Sequence, residues 1–460
     1  MIAMKTESNY SNKKILVLGL AKSGFAVAKL LKKMGSDVTV VDSNPLEKNT
    51  EAQALIDAGF KVITGSNDAS LIDDSFDYLV KNPGIFYSND LVQQAEKLNI
   101  PVITEPEIAY SYSDATMVGV TGTNGKTTVT TLIQLMLKHS PKFKNSYYAG
   151  NIGIPISDVI QKATKDDVVV TELSSFQLQG TLDLRPHVAV LNNIYSTHLD
   201  FHKTRENYIK AKMHITKNQT ADDYFVVNYN TEEWRNLAKK SQAKILPFSD
   251  NQELTNGAYV KDDVIYNQGE KIMDTKDIQI PGEHNVQNAL AAISVAKLFD
   301  VENKDIIEVL SSFRGVKHRI QYVDTFGGHK FYNDSKATNV EATIVALTAF
   351  KQPITLIAGG LDRGNGFDEL VPSLKGKVHN LVVYGETADK VIESAEKANV
   401  RNIVKVNNLK EAVPEAYKQS DAGDVILLSP AAASWDQFKT FEQRGDQFIE
   451  EVETLKGEVK

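Results

Sequence analysis

The stretch Val118 to Leu132, V-G-V-T-G-T-N-G-K-T-T-V-T-T-L, limits the possible folds of this chain more than any other. Met117 to Val120 read as a short apolar strand and Thr128 to Leu137 as a helix, leaving Gly122, Thr123, Asn124 and Gly125 in the turn between them. Such a turn points backbone N–H groups inward and adds the positive end of the helix dipole, which together make an anion site. Lys126 supplies a cation and Thr127 a hydroxyl suited to Mg²⁺. The stretch departs from the pattern G-x-x-x-x-G-K-[ST], because Val120 stands at the first glycine position and Gly122 lies inside the loop. A nucleotide triphosphate is the expected ligand; the alternative is an ordinary strand–turn–helix with an accidental lysine.

Length and composition narrow the setting. At 460 residues, 42% of them hydrophobic and 24% charged, the chain suits about three α/β domains with real cores. A net charge of −8 without a long basic block argues against nucleic acid as a partner. With no cysteine, disulfides, thiolate metal sites and a cysteine nucleophile are excluded. Met1 to Lys14 lack an apolar signal core, and no apolar run approaches the roughly 18 residues of a membrane span. A cytoplasmic, monomeric protein without membrane insertion is expected.

Along the chain, Lys14 to Leu18 and Asp37 to Asp42 read as strands around a helix that ends at Met34. The loop Gly19 to Gly24 resembles the dinucleotide pattern G-x-G-x-x-G, but Ala21 replaces the glycine that lets a backbone approach a pyrophosphate. That weakens a nicotinamide reading and leaves two alternatives, another nucleotide-like ligand or a plain turn. Val80 to Gly84 closes a further strand and Ile100 to Ile103 forms the last, placing a boundary near residue 104.

In the middle section, Ala149 to Gly153 is a turn holding one amide side chain, Asn151. The strand Asp167 to Thr171 ends at Glu172, and His187 to Leu191 ends in N-N-I-Y-S-T-H-L-D, which carries His198. Ligands and metals sit at the carboxyl ends of strands in open α/β sheets, so Glu172 and His198 are Mg²⁺ candidates. Lys210 and Lys212 read as a solvated helix face. Lys244 to Pro281 suggests a small antiparallel insert, followed by a helix from Gly282 to Phe299. Asn285 and Asn288 share a face of that helix and either reach an adenine edge or hydrogen-bond locally. Beyond Gly315 a third α/β domain is read, with strands at Lys330 to Asn333, Ile354 to Ala358, Leu381 to Tyr384 and Val425 to Leu428. Asp334 to Asn339, Gly359 to Gly364 and Ser429 to Ser434 follow strand ends, and are expected to converge on one edge.

In order and spacing, T-G-T-N-G-K-T-T, G-N-I-G, E-L-S-S-F-Q-L, T-H-L-D, Y-I-K-A-K, G-E-H-N-V-Q-N, H-R, N-D-S-K-A-T-N and S-P-A-A-A-S-W-D-Q-F resemble the Mur ligase family over nearly the whole chain. E-L-S-S-F-Q-L and Ser429 to Gly445 look most like its D-glutamate-adding branch. The resemblance implies three domains: 1–104, Rossmann-like, for a UDP-sugar; 105–314, a P-loop-type ATPase domain with a mostly parallel sheet; and 315–460, Rossmann-like, for the amino acid. It implies ATP-driven amide formation in cytoplasmic peptidoglycan precursor synthesis, with UDP-N-acetylmuramoyl-L-alanine, D-glutamate, ATP and Mg²⁺ as partners. An acyl phosphate forms first, and the amine then displaces phosphate.

Carried over by motif, Gly122, Thr123, Asn124, Gly125, Lys126, Thr127, Thr128, Asn285, Asn288, Arg319 and Asp334 are expected at ATP. Thr127, Glu172, His198 and Lys212 are expected at the metal, with Lys212 carbamylated, and Lys126, Glu172, His198, Lys212 and Lys336 carry catalysis. Lys336, Thr338, Arg363, Ser434 and Phe441 are expected around D-glutamate, Arg363 standing where some relatives have lysine. Lys22, Ser23, Asp42, Ser43, Asn82, Gly84, Asn151, Ser174, Gln177 and His198 are expected around the UDP-sugar. The rival readings are a sibling ligase adding another amino acid, a P-loop NTPase without ligase chemistry, and a nicotinamide oxidoreductase.

Overall fold

Apolar runs without alternation make strands buried on both faces, the mark of a parallel sheet covered by helices. The computed structural model describes residues 10–195, 197–364 and 366–459, and among them lie three sheets of this kind.

The first sheet contains β1 (Lys14–Leu18), β2 (Asp37–Asp42), β3 (Lys61–Thr64), β4 (Tyr78–Lys81) and β5 (Val102–Ile103), in the order β3-β2-β1-β4-β5. All its pairings are parallel. The order reverses between β1 and β4, so the loops leaving these two strands diverge and open a crevice. The helix Lys22–Lys33 buries Gly24, Ala26, Val27, Leu30 and Leu31, and places Lys32 and Lys33 at its negative end. Gly24 lies against the turn that precedes the helix: a Cβ there would stand 1.9 Å from the Gly19 carbonyl oxygen.

The second sheet runs β14-β13-β12-β11-β10-β9-β6-β8-β7. Its strands are β6 (Thr116–Thr121), β7 (Ser146–Gly150), β8 (Val168–Glu172), β9 (Val188–Leu191), β10 (Tyr224–Asn228), β11 (Lys244–Ser249), β12 (Ala258–Lys261), β13 (Val264–Asn267) and β14 (Glu270–Asp274). The expected antiparallel insert is therefore only partly so. β11 and β12 extend the sheet in parallel, and only β13 and β14 turn antiparallel. The pairing of β11 follows from burial, since Pro247, Phe248 and Ser249 are covered on both faces like an inner strand.

The third sheet has the order β15-β16-β20-β17-β18-β19, with β15 (Gln321–Phe326), β16 (His329–Asn333), β17 (Ile354–Ala358), β18 (Val378–Val383), β19 (Asn402–Lys405) and β20 (Val425–Leu428). It is parallel apart from β15, which pairs antiparallel with β16. β16, β20 and β17 are neighbours, so the three polar strand ends do share one edge.

By compactness the chain divides into two units, Met1–Lys276 with Val286–Val309, and Asp277–Asn285 with Leu310–Lys460. The boundary read at residue 104 lies inside the first. There the helix Glu105–Tyr112 packs two buried carboxylates against the second-sheet region. Glu107 accepts the backbone N–H groups of Leu182, Asp183 and Leu184 at 2.9, 2.8 and 3.1 Å. Glu105 accepts that of Ser157 at 2.6 Å through one oxygen, while its other oxygen is buried with no hydrogen-bond partner among the described residues.

Candidate active site

Between β6 and the helix Lys126–Leu137 the loop is tightly braced. The helix starts at Lys126, two residues earlier than the sequence suggests, because Gly125 takes a left-handed φ of +79° and caps it. Only glycine fits there: a Cβ would meet Asn288 Oδ1 at 2.2 Å and Asn192 Nδ2 at 2.4 Å. Two asparagines leaving β9 hold the loop backbone. Asn193 Oδ1 accepts the Asn124 N–H at 2.8 Å and its Nδ2 donates to the Asn124 carbonyl at 3.2 Å, while Asn192 Nδ2 donates to the same carbonyl at 3.1 Å. Asn192 also donates to Asn288 Oδ1 at 2.7 Å, which joins Asn288 to the loop. Thr123 Oγ1 lies 2.9 Å from the Tyr208 hydroxyl. Thr127 and Thr128 are buried on the helix.

Two ammonium groups meet at one carbonyl. Lys126 Nζ donates to Gly122 O at 2.9 Å and Thr123 O at 2.7 Å, and Lys212 Nζ donates to Gly122 O at 2.7 Å. Lys212 is 1% exposed, so the solvated-face reading fails for it: its helix, Arg205–Met213, buries Tyr208, Ala211 and Lys212 together. Burial pulls the Lys212 ammonium well below the usual lysine value, the Lys126 charge adds to this, and Glu172 opposes it. Glu172, the last residue of β8, is buried. Asn151 Nδ2 donates to its Oε1 at 2.8 Å, and its Oε2 has no partner among the described residues. His198 is exposed, has a left-handed φ of +56° at the start of the helix Leu199–His202, and packs its ring edge-on to Phe176 at 5.0 Å. Such strain in a non-glycine residue is typical of functional loops.

The residues expected at a UDP-sugar fall into two groups. Lys22 and Ser23 start the helix after β1 and Asn82 and Gly84 follow β4, on the two diverging loops, where Asn82 Nδ2 donates to Ser23 Oγ at 3.3 Å and Asn82 Oδ1 accepts the Gly84 N–H at 3.2 Å. Ser43 is exposed beside them, whereas Asp42 braces the turns, accepting from Leu20 N at 2.6 Å and from Asn44 N at 2.8 Å. Ser174 and Gln177 are buried and form a reciprocal capping box on the helix Ser175–Leu178.

In the second unit Asp334 is buried at the end of β16. It accepts the Ser429 hydroxyl at 2.8 Å and the Ile320 N–H at 3.2 Å. Burial pushes its carboxyl up to about 7, against the pull of Ser429 and Arg319. Half-buried Arg319 is flanked by His318 and Ile320, both left-handed at φ +64° and +43°; for β-branched Ile320 that is a strained conformation. Asn285 Nδ2 donates to Pro281 O at 2.6 Å, a local hydrogen bond. Thr338 and Arg363 line a cavity of about 370 Å³, together with Leu361, Asp362, Ala431 and Ala433. Lys336, 5.8 Å from the Phe441 ring centre, and Ser434, whose buried hydroxyl has no partner among the described residues, do not line it.

Family models match in chain order: a Mur ligase MurD-like N-terminal domain over residues 13–104, a Mur ligase middle domain over 120–296, and a Mur ligase glutamate ligase domain over 318–432. A UDP-N-acetylmuramoylalanine--D-glutamate ligase of Ligilactobacillus salivarius is 56% identical over 457 residues, covering 99% of this chain and 100% of the relative. The chain belongs to the Mur ligase family. The Enterococcus hirae enzyme of the same name is 52% identical, covering 98% of each chain. Among solved Mur ligases, the fold is shared with the UDP-N-acetylmuramate-alanine ligase MurC of Thermotoga maritima, at a TM-score of 0.57 and 19% identity over 96% of this chain and 99% of that one. It is shared also with MurF of the same organism, at 0.55 and 17% over 97% of each.

Mur ligases use ATP with Mg²⁺, and the loop fits that pair. Among the described residues no cluster of three or more His, Cys, Asp or Glu could hold a metal alone, so a cation here needs phosphate or water oxygens besides the unpartnered Glu172 oxygen and the Thr127 hydroxyl. The sequence did not single out the role of Arg444. Its fully buried guanidinium, in the helix Phe441–Val459, donates to Ser335 Oγ, Ser335 O and Ala432 O at 3.0, 2.8 and 3.1 Å. It thereby ties the Asp334–Lys336 loop to the cavity wall. A single arginine in an amphipathic helix carries no signal of burial, since such positions are normally solvated.

Proposed function

We propose that this chain is the ADP-forming, ATP-dependent ligase that adds D-glutamate to UDP-N-acetylmuramoyl-L-alanine in cytoplasmic peptidoglycan precursor synthesis. The observation that carries this reading is identity of 52–56% over at least 98% of the chain to ligases of that name, C-terminal region included. The mechanism drawn from the site starts with a carboxylate that must approach a triphosphate, both anionic. Bound Mg²⁺ would supply charge neutralisation across the phosphate oxygens. Lys126 and the N–H groups at the start of its helix then hold the phosphates, while the Thr123 and Asn124 N–H groups donate to Asn193, and Asn192, Asn193 and Asn288 fix the loop that presents them. Thr127, Glu172 and His198 are the proposed metal neighbours. Attack of the alanyl carboxylate oxygen on the γ-phosphorus gives an acyl phosphate and ADP. The amine of D-glutamate adds to its carbonyl carbon, loses a proton and expels phosphate.

Residues 1–104, 105–314 and 315–460 are the corresponding substrate, ATP and amino-acid domains. Lys22, Ser23, Asn82 and Gly84 hold the UDP end, with Asp42 shaping their loop. Asn285, Arg319 and Asp334 serve ATP, and Lys336, Thr338, Arg363, Ser434 and Phe441 serve D-glutamate.

Lys212 is the proposed carbamate. The amine must be neutral to attack CO₂, and its burial beside Lys126 favours that state. The ammonium first gives up one proton; the neutral amine then forms a C–N bond to CO₂ and loses a second proton, so that a cation becomes an anion suited to orient a divalent ion. Lys212→Ala should lose activity and regain part of it with a small carboxylic acid, and ¹³CO₂ should give a carbamate NMR signal in the wild type that the variant lacks. Full activity of the variant without rescue refutes the role. The function itself is tested by phosphate release from ATP with UDP-N-acetylmuramoyl-L-alanine and D-glutamate, L-glutamate, L-lysine, meso-diaminopimelate or no amino acid. Release with D-glutamate alone is expected; release with another amino acid moves the chain to a sibling activity, and release without substrate overturns the ligase reading.

A further inference from the structure

Trp435 is 63% exposed, the most exposed large apolar side chain among the described residues. It is not idle: the guanidinium carbon of Arg363 lies 4.6 Å from its ring centre. The two loops that carry this pair are joined. Leu361 and Ala433 form an antiparallel bridge, with the Leu361 N–H donating to Ala433 O at 2.8 Å, and Arg363 and Trp435 each lie two residues beyond it. The Arg363 loop is braced from the other side as well. Asp362 is ion-paired to Lys390 at 2.7 Å, its N–H donates to Glu386 at 3.0 Å, and its Oδ1 accepts the Gly364 N–H at 2.8 Å.

The cavity beside this pair is acidic, with Glu341, Asp362 and Glu369 in its wall, and Arg363 is the sole cation among the described residues that line it. A dicarboxylate enters such a cavity only if that cation meets it in a fixed orientation. An exposed arginine on a flexible stem does not provide this, but one held over an indole ring has fewer orientations open to its N–H fork. We propose that Trp435 is a specificity-determining positioning residue, which holds Arg363 so that its fork takes the side-chain carboxylate of the incoming amino acid. The inference rests on the ligase reading and adds to it how this chain tells an acidic amino acid from its neutral amide.

The test measures KM for D-glutamate, KM for ATP, kcat and melting temperature in wild type, Trp435→Ala, Arg363→Lys and the double variant. Trp435→Ala should raise KM for D-glutamate about fivefold, the scale of an exposed cation–π contact. KM for ATP, kcat and melting temperature should not change, because the ring is exposed. Preference for D-glutamate over D-glutamine should fall by a similar factor. In the Arg363→Lys background, which lacks a planar face to stack, adding Trp435→Ala should have little further effect. An unchanged KM for D-glutamate, or the same rise in both backgrounds, overturns the proposal. Wild-type protein that does not turn over D-glutamate at all overturns the ligase reading and the inference with it.

Discussion

Replacing Glu105 by glutamine should make the protein more stable at neutral pH, and the gain should grow with pH. Glu105 is 2% exposed. Burial pushes its carboxyl from 4.5 up to about 7; the Ser157 amide pulls the other way, and Asp158 adds a smaller upward push. The folded value is the raised one, so below about pH 4.5 the carboxyl is protonated in both states and contributes no difference. Between about 4.5 and 7 the unfolded chain releases its proton while the folded chain keeps it, and stability is lost across that window. At about 1.4 kcal/mol per pH unit the loss reaches roughly 3 kcal/mol above pH 7. Glutamine keeps the shape and the acceptor for Ser157 but cannot ionise. Urea denaturation of both proteins, followed by circular dichroism, should show the variant's advantage larger at pH 8 than at pH 5 by about 2–3 kcal/mol. Asp334 titrates in the same range in both proteins and cancels in the difference. An advantage that does not change with pH would refute the reasoning and mean that Glu105 ionises normally in the fold.

Gly24→Ala should cost about 3 kcal/mol or prevent folding of the first sheet region, since its Cβ meets the Gly19 carbonyl oxygen at 1.9 Å; a melting temperature equal to wild type would contradict the packing. Asn193→Ala removes both side-chain bonds to the Asn124 backbone. At about 1 kcal/mol each, KM for ATP should rise by roughly tenfold or more with little change in KM for D-glutamate, as steady-state kinetics would show.

What the sequence revealed and what it hid follow from the range of the interactions. Lys14–Leu18, Asp37–Asp42, Ile354–Ala358 and Val425–Leu428 are strands with the bounds the apolar runs suggested, because burial on both faces is written in composition. β15 and β19 were not read: Q-Y-V-D-T-F and N-I-V-K are half-buried edge strands, with no apolar run long enough to stand out. The loop residues Gly122 to Thr127 were legible because glycine, lysine and threonine have local reasons to occur there. The roles of Asn192 and Asn193 depend on β9 lying beside β6, a pairing between strands far apart in sequence. The burial of Lys212 and Arg444 was invisible for the same reason, since each lies on a helix whose local pattern suits solvent equally well.

Several features of the first unit are unfavourable in the chain alone, and they share a cause. Lys126 and Lys212 compete for the Gly122 carbonyl, and a buried carboxylate oxygen of Glu172 has no partner among the described residues. Each of these would be removed from a region selected for stability only, since an unsatisfied buried polar group costs on the order of 1–3 kcal/mol. On the proposed function they would be relieved by different partners: the crowding of the two lysines by phosphate or by the proposed carbamate, and the Glu172 oxygen by a cation. Two lysines sharing one carbonyl, beside a carboxylate oxygen with no partner among the described residues, suit the proposed metal–triphosphate pair. The same arrangement explains why the loop is braced by neutral asparagines. Amides fix the backbone on both sides without adding charge, leaving the electrostatic balance to be completed by the substrates.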